Sequence, residues 1–138
     1  MDHIPALEVE LLEFPEISDY RGNLTFAEYP GLLPFVPRRF FMLYAIPSRD
    51  IRGEHAHKTL QQVLLCVTGN CTVILDNGME SREILLDNPT CGLYVPPMIW
   101  STQYRFSPDA VLLVLASDIY KADDYVRDYE EYLTLVSK

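Results

Sequence analysis

Asp76-Asn77-Gly78 is the strongest local fold signal in this chain, because Asn-Gly accepts the positive φ angles that a type I′ hairpin requires at both central positions. It calls for strands on both sides, Cys71 to Leu75 before it and Glu83 to Leu86 after it. The same rhythm of short apolar runs and turn residues extends in both directions. Residues 7–17 alternate imperfectly around Leu7, Val9, Leu11 and Phe14 and predict a first strand. Arg21-Gly22-Asn23 reads as a turn, Leu24 to Tyr29 as a second strand, and Pro30, Gly31, Pro34 and Pro37 as an irregular connection. Phe40 to Ile46, Leu60 to Val67, Cys91 to Val95, Ile99 to Phe106 and Ala110 to Ala116 continue the series, with Gly69-Asn70, Pro96-Pro97 and Ser107-Pro108-Asp109 as its breaks.

Only after Ser117 does the period lengthen. Tyr125, Tyr129 and Leu133 fall at helical spacing, which predicts one helix over 122–135. Many short strands and a single terminal helix define an all-β chain whose expected architecture is a small jelly-roll barrel. At 138 residues it fits one domain over 1–138, large enough to bury a core without disulfide staples.

Charge narrows the range of partners. A formal net charge of -9 argues against a general nucleic-acid binder, since polyphosphates are held mainly by Lys and Arg. The cations are nonetheless uneven: Arg38, Arg39, Arg49, Arg52 and Lys58 share one window and could form a local anion site. Cys66, Cys71 and Cys91 are odd in number, lack metal-binding spacing and lie in or beside apolar runs, so buried, reduced thiols are expected. The first ten residues have no basic and apolar leader, and no later run is long enough to span a bilayer. A soluble cytoplasmic protein is the expectation, with His3 in a loose terminus.

The chemistry concentrates in Arg52-Gly53-Glu54-His55-Ala56-His57-Lys58. Side chains two apart on a strand share a face, so His55 and His57 would present adjacent imidazoles from one rigid element. Such a pair suits metal binding or proton transfer.

A β-barrel with His-x-His on an early strand resembles the cupin superfamily. Gly53, His55, His57 and Gly69 match its first motif, but Gln61 or Gln62 stands where an acidic ligand is expected. In the second motif, around Gly92, Pro96 and Pro97, Trp100-Ser101 occupies the place of a third imidazole. Two imidazoles make a poor transition-metal site, so neither a metal nor another cofactor is expected. More specifically, Arg21-Gly22-Asn23-Leu24, the histidine segment, Val95 to Trp100 and Asp124 to Tyr129 together resemble the WxcM-like cupins, the sugar-nucleotide 3,4-ketoisomerases.

The resemblance implies metal-independent conversion of dTDP-4-keto-6-deoxyglucose into a 3-keto isomer, ahead of amino transfer on a route to 3-amino deoxysugars of polysaccharides. It implies His55 as the base, His57 as a second proton-transfer group and Tyr44 as a donor if strand pairing places it inside the barrel. Arg21, Arg52 and Lys58 would neutralise the diphosphate, while Asn23, Gln62, Trp100, Ser101 and Tyr104 complete the expected substrate contacts. Ser101, a poor general acid, leaves either C4 epimer open. The family is typically dimeric, and exchange of N-terminal strands would bury their apolar face. The competing readings are a sugar-nucleotide 3,5-epimerase and a non-catalytic sugar- or nucleotide-binding cupin.

Overall fold

The computed structural model describes residues 2–4 and 7–137. In chain order the strands are β1 (Asp2–Ile4), β2 (Val9–Glu13), β3 (Glu16–Asp19), β4 (Gly22–Thr25), β5 (Arg39–Tyr44), β6 (Arg52–His57) and β7 (Gln62–Thr68). They continue as β8 (Cys71–Asp76), β9 (Ser81–Leu86), β10 (Cys91–Val95), β11 (Trp100–Tyr104), β12 (Val111–Ala116) and β13 (Tyr125–Val126), before helix α1 (Tyr129–Val136). One sheet has the order β1-β2-β10-β7-β12-β5, a second the order β13-β6-β11-β8-β9, and β3-β4 form a separate hairpin. All pairings are antiparallel.

The inner faces of the two larger sheets meet in one core. Leu64, Leu93, Leu112 and Val114 come from the six-stranded side, and Val73, Leu75, Ile84 and Leu86 from the other. The central strand β7 is buried on both faces: Gln62, Leu64 and Cys66 look inward, while Val63 and Leu65 lie beneath Leu33 and Phe35 of the proline-rich connection. Two buried faces explain why this stretch reads as a continuous apolar run rather than an alternating one. The jelly-roll expectation and the fold agree.

Several boundaries differ from the sequence reading. The expected first strand is cut at Pro15, which has no N–H to continue a ladder, into β2 and the exposed β3. The first hairpin turns at Tyr20-Arg21, because Gly22 already pairs with Asp19. At the Asn-Gly hairpin, Asp76 pairs with Ser81, so four residues close it. Asn77 Oδ1 accepts from the N–H groups of Met79 and Glu80, and positive φ is confined to Gly78. A side-chain capped loop has replaced the expected two-residue turn. His3 lies in β1, opposite Glu10, rather than in a loose terminus.

The helix begins seven residues later than predicted, at Tyr129, where the Asp128 side chain accepts from the N–H of Glu130. Before it, Tyr125 and Val126 pair with His57 and Ala56. Covering the open edge of β6, and burying Val126 against Ala56 and Tyr132, overrides the helical period of the tyrosines. No helix among the described residues is long and apolar enough to cross a membrane.

Candidate active site

The cavity of about 240 Å³ at one end of the barrel is lined by Phe41, Leu43, Leu64 and Val114 from the six-stranded sheet, facing Gly53, His55 and Gln103. Arg52, Gln62, Tyr125 and Arg127 complete its lining. A bulge in β6 shapes this wall. His55 pairs with Ser101, but the next residue of β11, Thr102, pairs with Gly53, leaving Glu54 as the extra residue. Gly53 and Glu54 both take positive φ, +85° and +57°. Strict alternation would send Arg52 and His55 to opposite faces, and the inserted residue lets both line the cavity. A Cβ at Gly53 would lie 2.7 Å from Gln103 Oε1 and 2.9 Å from the Ser101 carbonyl oxygen, so the close approach of β11 also requires glycine.

His55 Nδ1 lies 3.0 Å from the Gly53 carbonyl oxygen. A carbonyl only accepts, so Nδ1 carries the proton and Nε2 keeps its lone pair. Burial lowers the pKa of His55, with the Arg127 charge acting in the same direction against the hydrogen bond to Gly53. The imidazole is therefore neutral at neutral pH, the protonation state a base needs.

His57 sits deeper. It is 5% exposed, and its ring packs edge-on to His55 at 4.9 Å and against Tyr125 at 4.3 Å. Burial, then the His55 neighbour, lowers its pKa to about 4, despite an Asp124 carboxylate oxygen 3.3 Å from Nδ1. Neither ring nitrogen has a well-aligned hydrogen bond. Burial opposes the charge of Asp124, yet hydrogen bonds from the Thr59 hydroxyl and from the Thr59 and Leu60 N–H groups hold its carboxyl below the usual range. No cluster of three or more His, Cys, Asp or Glu positioned for a metal occurs among the described residues.

The structure sorts the expected site residues. His55, Arg52 and Gln62 line the cavity, and His57 and Ser101 are buried close to it. Ser101 Oγ accepts from Gln103 Nε2 at 2.8 Å. Tyr44 does not enter the barrel: Phe41 and Leu43 take the inward face of β5, leaving Tyr44 64% exposed on the other. Trp100 packs on Tyr129 and Tyr132 beneath α1, and the Tyr104 hydroxyl donates to Glu83 on the outer face. Lys58 is exposed past the end of β6, its N–H bonded to the Asp124 carbonyl. Arg21 and Asn23 lie on the β3–β4 hairpin, where Arg21 pairs with Asp19 at 2.6 Å.

Three lining residues with polar side chains were absent from the expected set: Gln103, Tyr125 and Arg127. Gln103 follows from the alternation that puts it on the Ser101 face. Tyr125 and Arg127 were hidden by the helical period. The Arg127 guanidinium lies over the Tyr125 ring at 4.1 Å, and neither Arg52 nor Arg127 has a carboxylate partner among the described residues. Two unpaired guanidiniums on a cavity in an acidic protein favour an anionic guest.

A two-sheet barrel carrying paired neutral imidazoles, one exposed to the cavity and one behind it, defines a cupin-like protein with a site suited to proton transfer. The family model described as FdtA, WxcM-like C-terminal, matches residues 7–137, and the chain belongs to this family of sugar-nucleotide 3,4-ketoisomerases. A TDP-4-oxo-6-deoxy-α-D-glucose 3,4-oxoisomerase of Aneurinibacillus thermoaerophilus is 42% identical over 132 residues, 96% of this chain and 95% of that protein. A 3,4-ketoisomerase of Helicobacter canadensis superposes with a TM-score of 0.93 at 37% identity, over 96% of this chain and 99% of that one. The sugar 3,4-ketoisomerase QdtA of Thermoanaerobacterium thermosaccharolyticum, solved with TDP, gives 0.92 at 36% identity over 94% of each chain.

Proposed function

We propose that this protein converts dTDP-4-keto-6-deoxyglucose into a dTDP-3-keto-6-deoxyhexose, with His55 as the base. The observation that carries the assignment is the fixed tautomer of His55, whose Nε2 lone pair belongs to the only imidazole on the cavity lining among the described residues. In this reaction Nε2 removes the proton from C3, and the C–H electron pair becomes the C3–C4 double bond of an enediolate. The O3 proton passes to O4 by way of His57, and as the ketone forms at C3, C4 takes a proton and His55 gives up the one it removed. No atom is gained or lost, so neither an oxidant nor a cofactor enters the scheme.

Arg52 and Arg127 hold the diphosphate, and Tyr125 supplies an aromatic wall beside the sugar. Gln62 and Gln103 offer hydrogen bonds to the ring hydroxyls. A histidine-to-asparagine variant of the Thermoanaerobacterium enzyme was solved with TDP-4-keto-6-deoxyglucose bound, which fits a histidine that acts in turnover more than in binding. Tyr44 has no role in this scheme.

The working form is a dimer in which the N-terminal β3–β4 hairpin reaches a second copy. Ile17, Tyr20 and Leu24 on the hairpin and Phe26 beyond it are exposed, and β5 presents Phe40, Met42 and Tyr44 on a sheet edge. Apolar exposure on this scale marks an interface. In that assembly Arg21 and Asn23 can approach a partner's cavity. Reduced cysteines fit a cytoplasmic enzyme, consistent with the buried thiols of Cys66 and Cys71.

Proton NMR of the substrate incubated with the enzyme in deuterated buffer tests the activity. Deuterium at C4 of a 3-keto product, and at C3 of substrate that returns from the enediolate, is expected. Exchange at both C3 and C5 would instead mean 3,5-epimerisation, and unchanged substrate a binding protein.

A further inference from the structure

We propose that Asp124 is a positioning residue for His57, fixing its imidazole as the Nδ1–H tautomer so that Nε2 is the nitrogen that exchanges protons. The inference rests on His57 being a proton-transfer group in the reaction above. It starts from two buried ring nitrogens that have no well-aligned hydrogen bond and from one carboxylate oxygen 3.3 Å from Nδ1.

That carboxylate is held from several sides. Oδ1 accepts from the Thr59 N–H at 2.8 Å and the Thr59 hydroxyl at 2.7 Å, and Oδ2 accepts from the Leu60 N–H at 3.3 Å. The Asp124 carbonyl also accepts from the Lys58 N–H, while the next residue pairs with His57 across β13 and β6. An anion tied to the segment directly after an imidazole, with its chain neighbour paired to the imidazole's own residue, has little freedom to leave it. These hydrogen bonds keep the carboxyl ionised, so the oxygen facing His57 carries no proton and can only accept, and Nδ1 must supply the proton.

The consequence differs in the resting and reacting states. In the resting enzyme His57 is neutral, and the carboxylate selects a tautomer. When His57 accepts a proton at Nε2, the same carboxylate faces an imidazolium and shortens its contact, so the stabilisation grows as charge develops. His55 has the same tautomer, selected by the Gly53 carbonyl. The two histidines therefore present equivalent nitrogens through different devices, a neutral acceptor for the base and an anionic one for the relay.

Asp124→Asn separates positioning from architecture. The amide oxygen can still accept from Thr59, but its NH2 now donates toward His57 Nδ1 and reverses the tautomer. Turnover should slow by about 100-fold or more, the scale on which a misplaced proton-transfer group costs rate, with KM changed less than about threefold and an unaltered circular dichroism spectrum. Long-range 15N correlation spectra should show His57 protonated at Nδ1 in the wild type and at Nε2 in the variant. A variant that turns over within about threefold of wild type, or a wild-type His57 protonated at Nε2, overturns the proposal. The wild-type spectrum decides the matter if the variant does not fold. Because the spectra need no substrate, they also stand apart from the ketoisomerase assignment, which fails if the wild type leaves the sugar unchanged or exchanges C5 as well as C3.

Discussion

The cavity wall and the β3–β4 hairpin reverse the usual placement of residues in opposite ways. On the wall, His57, Gln62, Ser101 and Gln103 are polar and buried, while on the hairpin Ile17, Tyr20 and Leu24 are apolar and exposed. The wall is over-determined by its bulge, by the Gln103–Ser101 hydrogen bond and by the close approach of Gly53 to β11. In the hairpin, β3 and β4 pair with each other and with neither large sheet. Buried polar groups cost free energy and persist where chemistry uses them, whereas exposed apolar groups are a liability unless another surface covers them. One region is thus complete within the subunit, and the other is the surface on which the proposed dimer rests.

The largest effect should come from the wall. His55→Asn removes the proposed base while preserving size and polarity, and should lower kcat by about 10³-fold, within the range general bases contribute. C3 deuterium exchange should vanish with it, whereas His57→Asn should leave residual exchange. Equal exchange in the two variants would reverse their roles.

Acid should also act on the wall more than on the hairpin. His57 has a folded pKa of about 4 against 6.5 when unfolded, so in that window the unfolded chain binds the extra proton. Stability is therefore complete above pH 6.5 and declines as pH falls toward 4, by about 3 kcal/mol from this group. Denaturant titrations across this range should show the slope, and His57→Gln should flatten it. An unchanged slope in the variant would mean that other groups carry the acid sensitivity.

Leu24→Ala probes the hairpin. Full burial of a leucine is worth roughly 1.5–3 kcal/mol, so losing it at an interface should weaken the dimer at least about tenfold with secondary structure unchanged. Sedimentation at several concentrations measures this. A wild-type monomer at micromolar concentration, or a variant with unaltered dissociation, would break the contrast between the two regions.

The same contrast explains what was legible in the sequence. Strands whose side chains face a core declare themselves by apolar content and turns, which is why β7 through β12 stand close to their expected positions. His55 was legible because two histidines spaced to share one strand face seldom serve packing alone. Tyr44 was not, since its face depends on which residues of β5 look inward, and Phe41 and Leu43 win that contest by filling the barrel. Tyr125 and Arg127 were concealed because two residues of β13 carry too little periodicity to compete with a tyrosine pattern at helical spacing. Their strand exists through pairing with β6, a long-range contact that no local window contains.

The smallest predicted effect lies where α1 closes the end of the five-stranded sheet beside β13. Tyr132 is fully buried, and its hydroxyl lies 2.8 Å from the Met98 carbonyl oxygen and 3.0 Å from that of Asp76. One side chain thereby ties the helix to the segment before β11 and to the end of β8. Tyr132→Phe keeps the ring packed on Trp100 but deprives both carbonyls of their shared donor. The cost should be about 1–2 kcal/mol, read as a lower denaturation midpoint with an unchanged m-value. Activity should stay near wild type, because the substitution lies outside the cavity lining. A marked loss of activity without loss of stability would mean that α1 transmits its position to Tyr125 and Arg127, and that the boundary between the cavity wall and its surroundings extends as far as the helix.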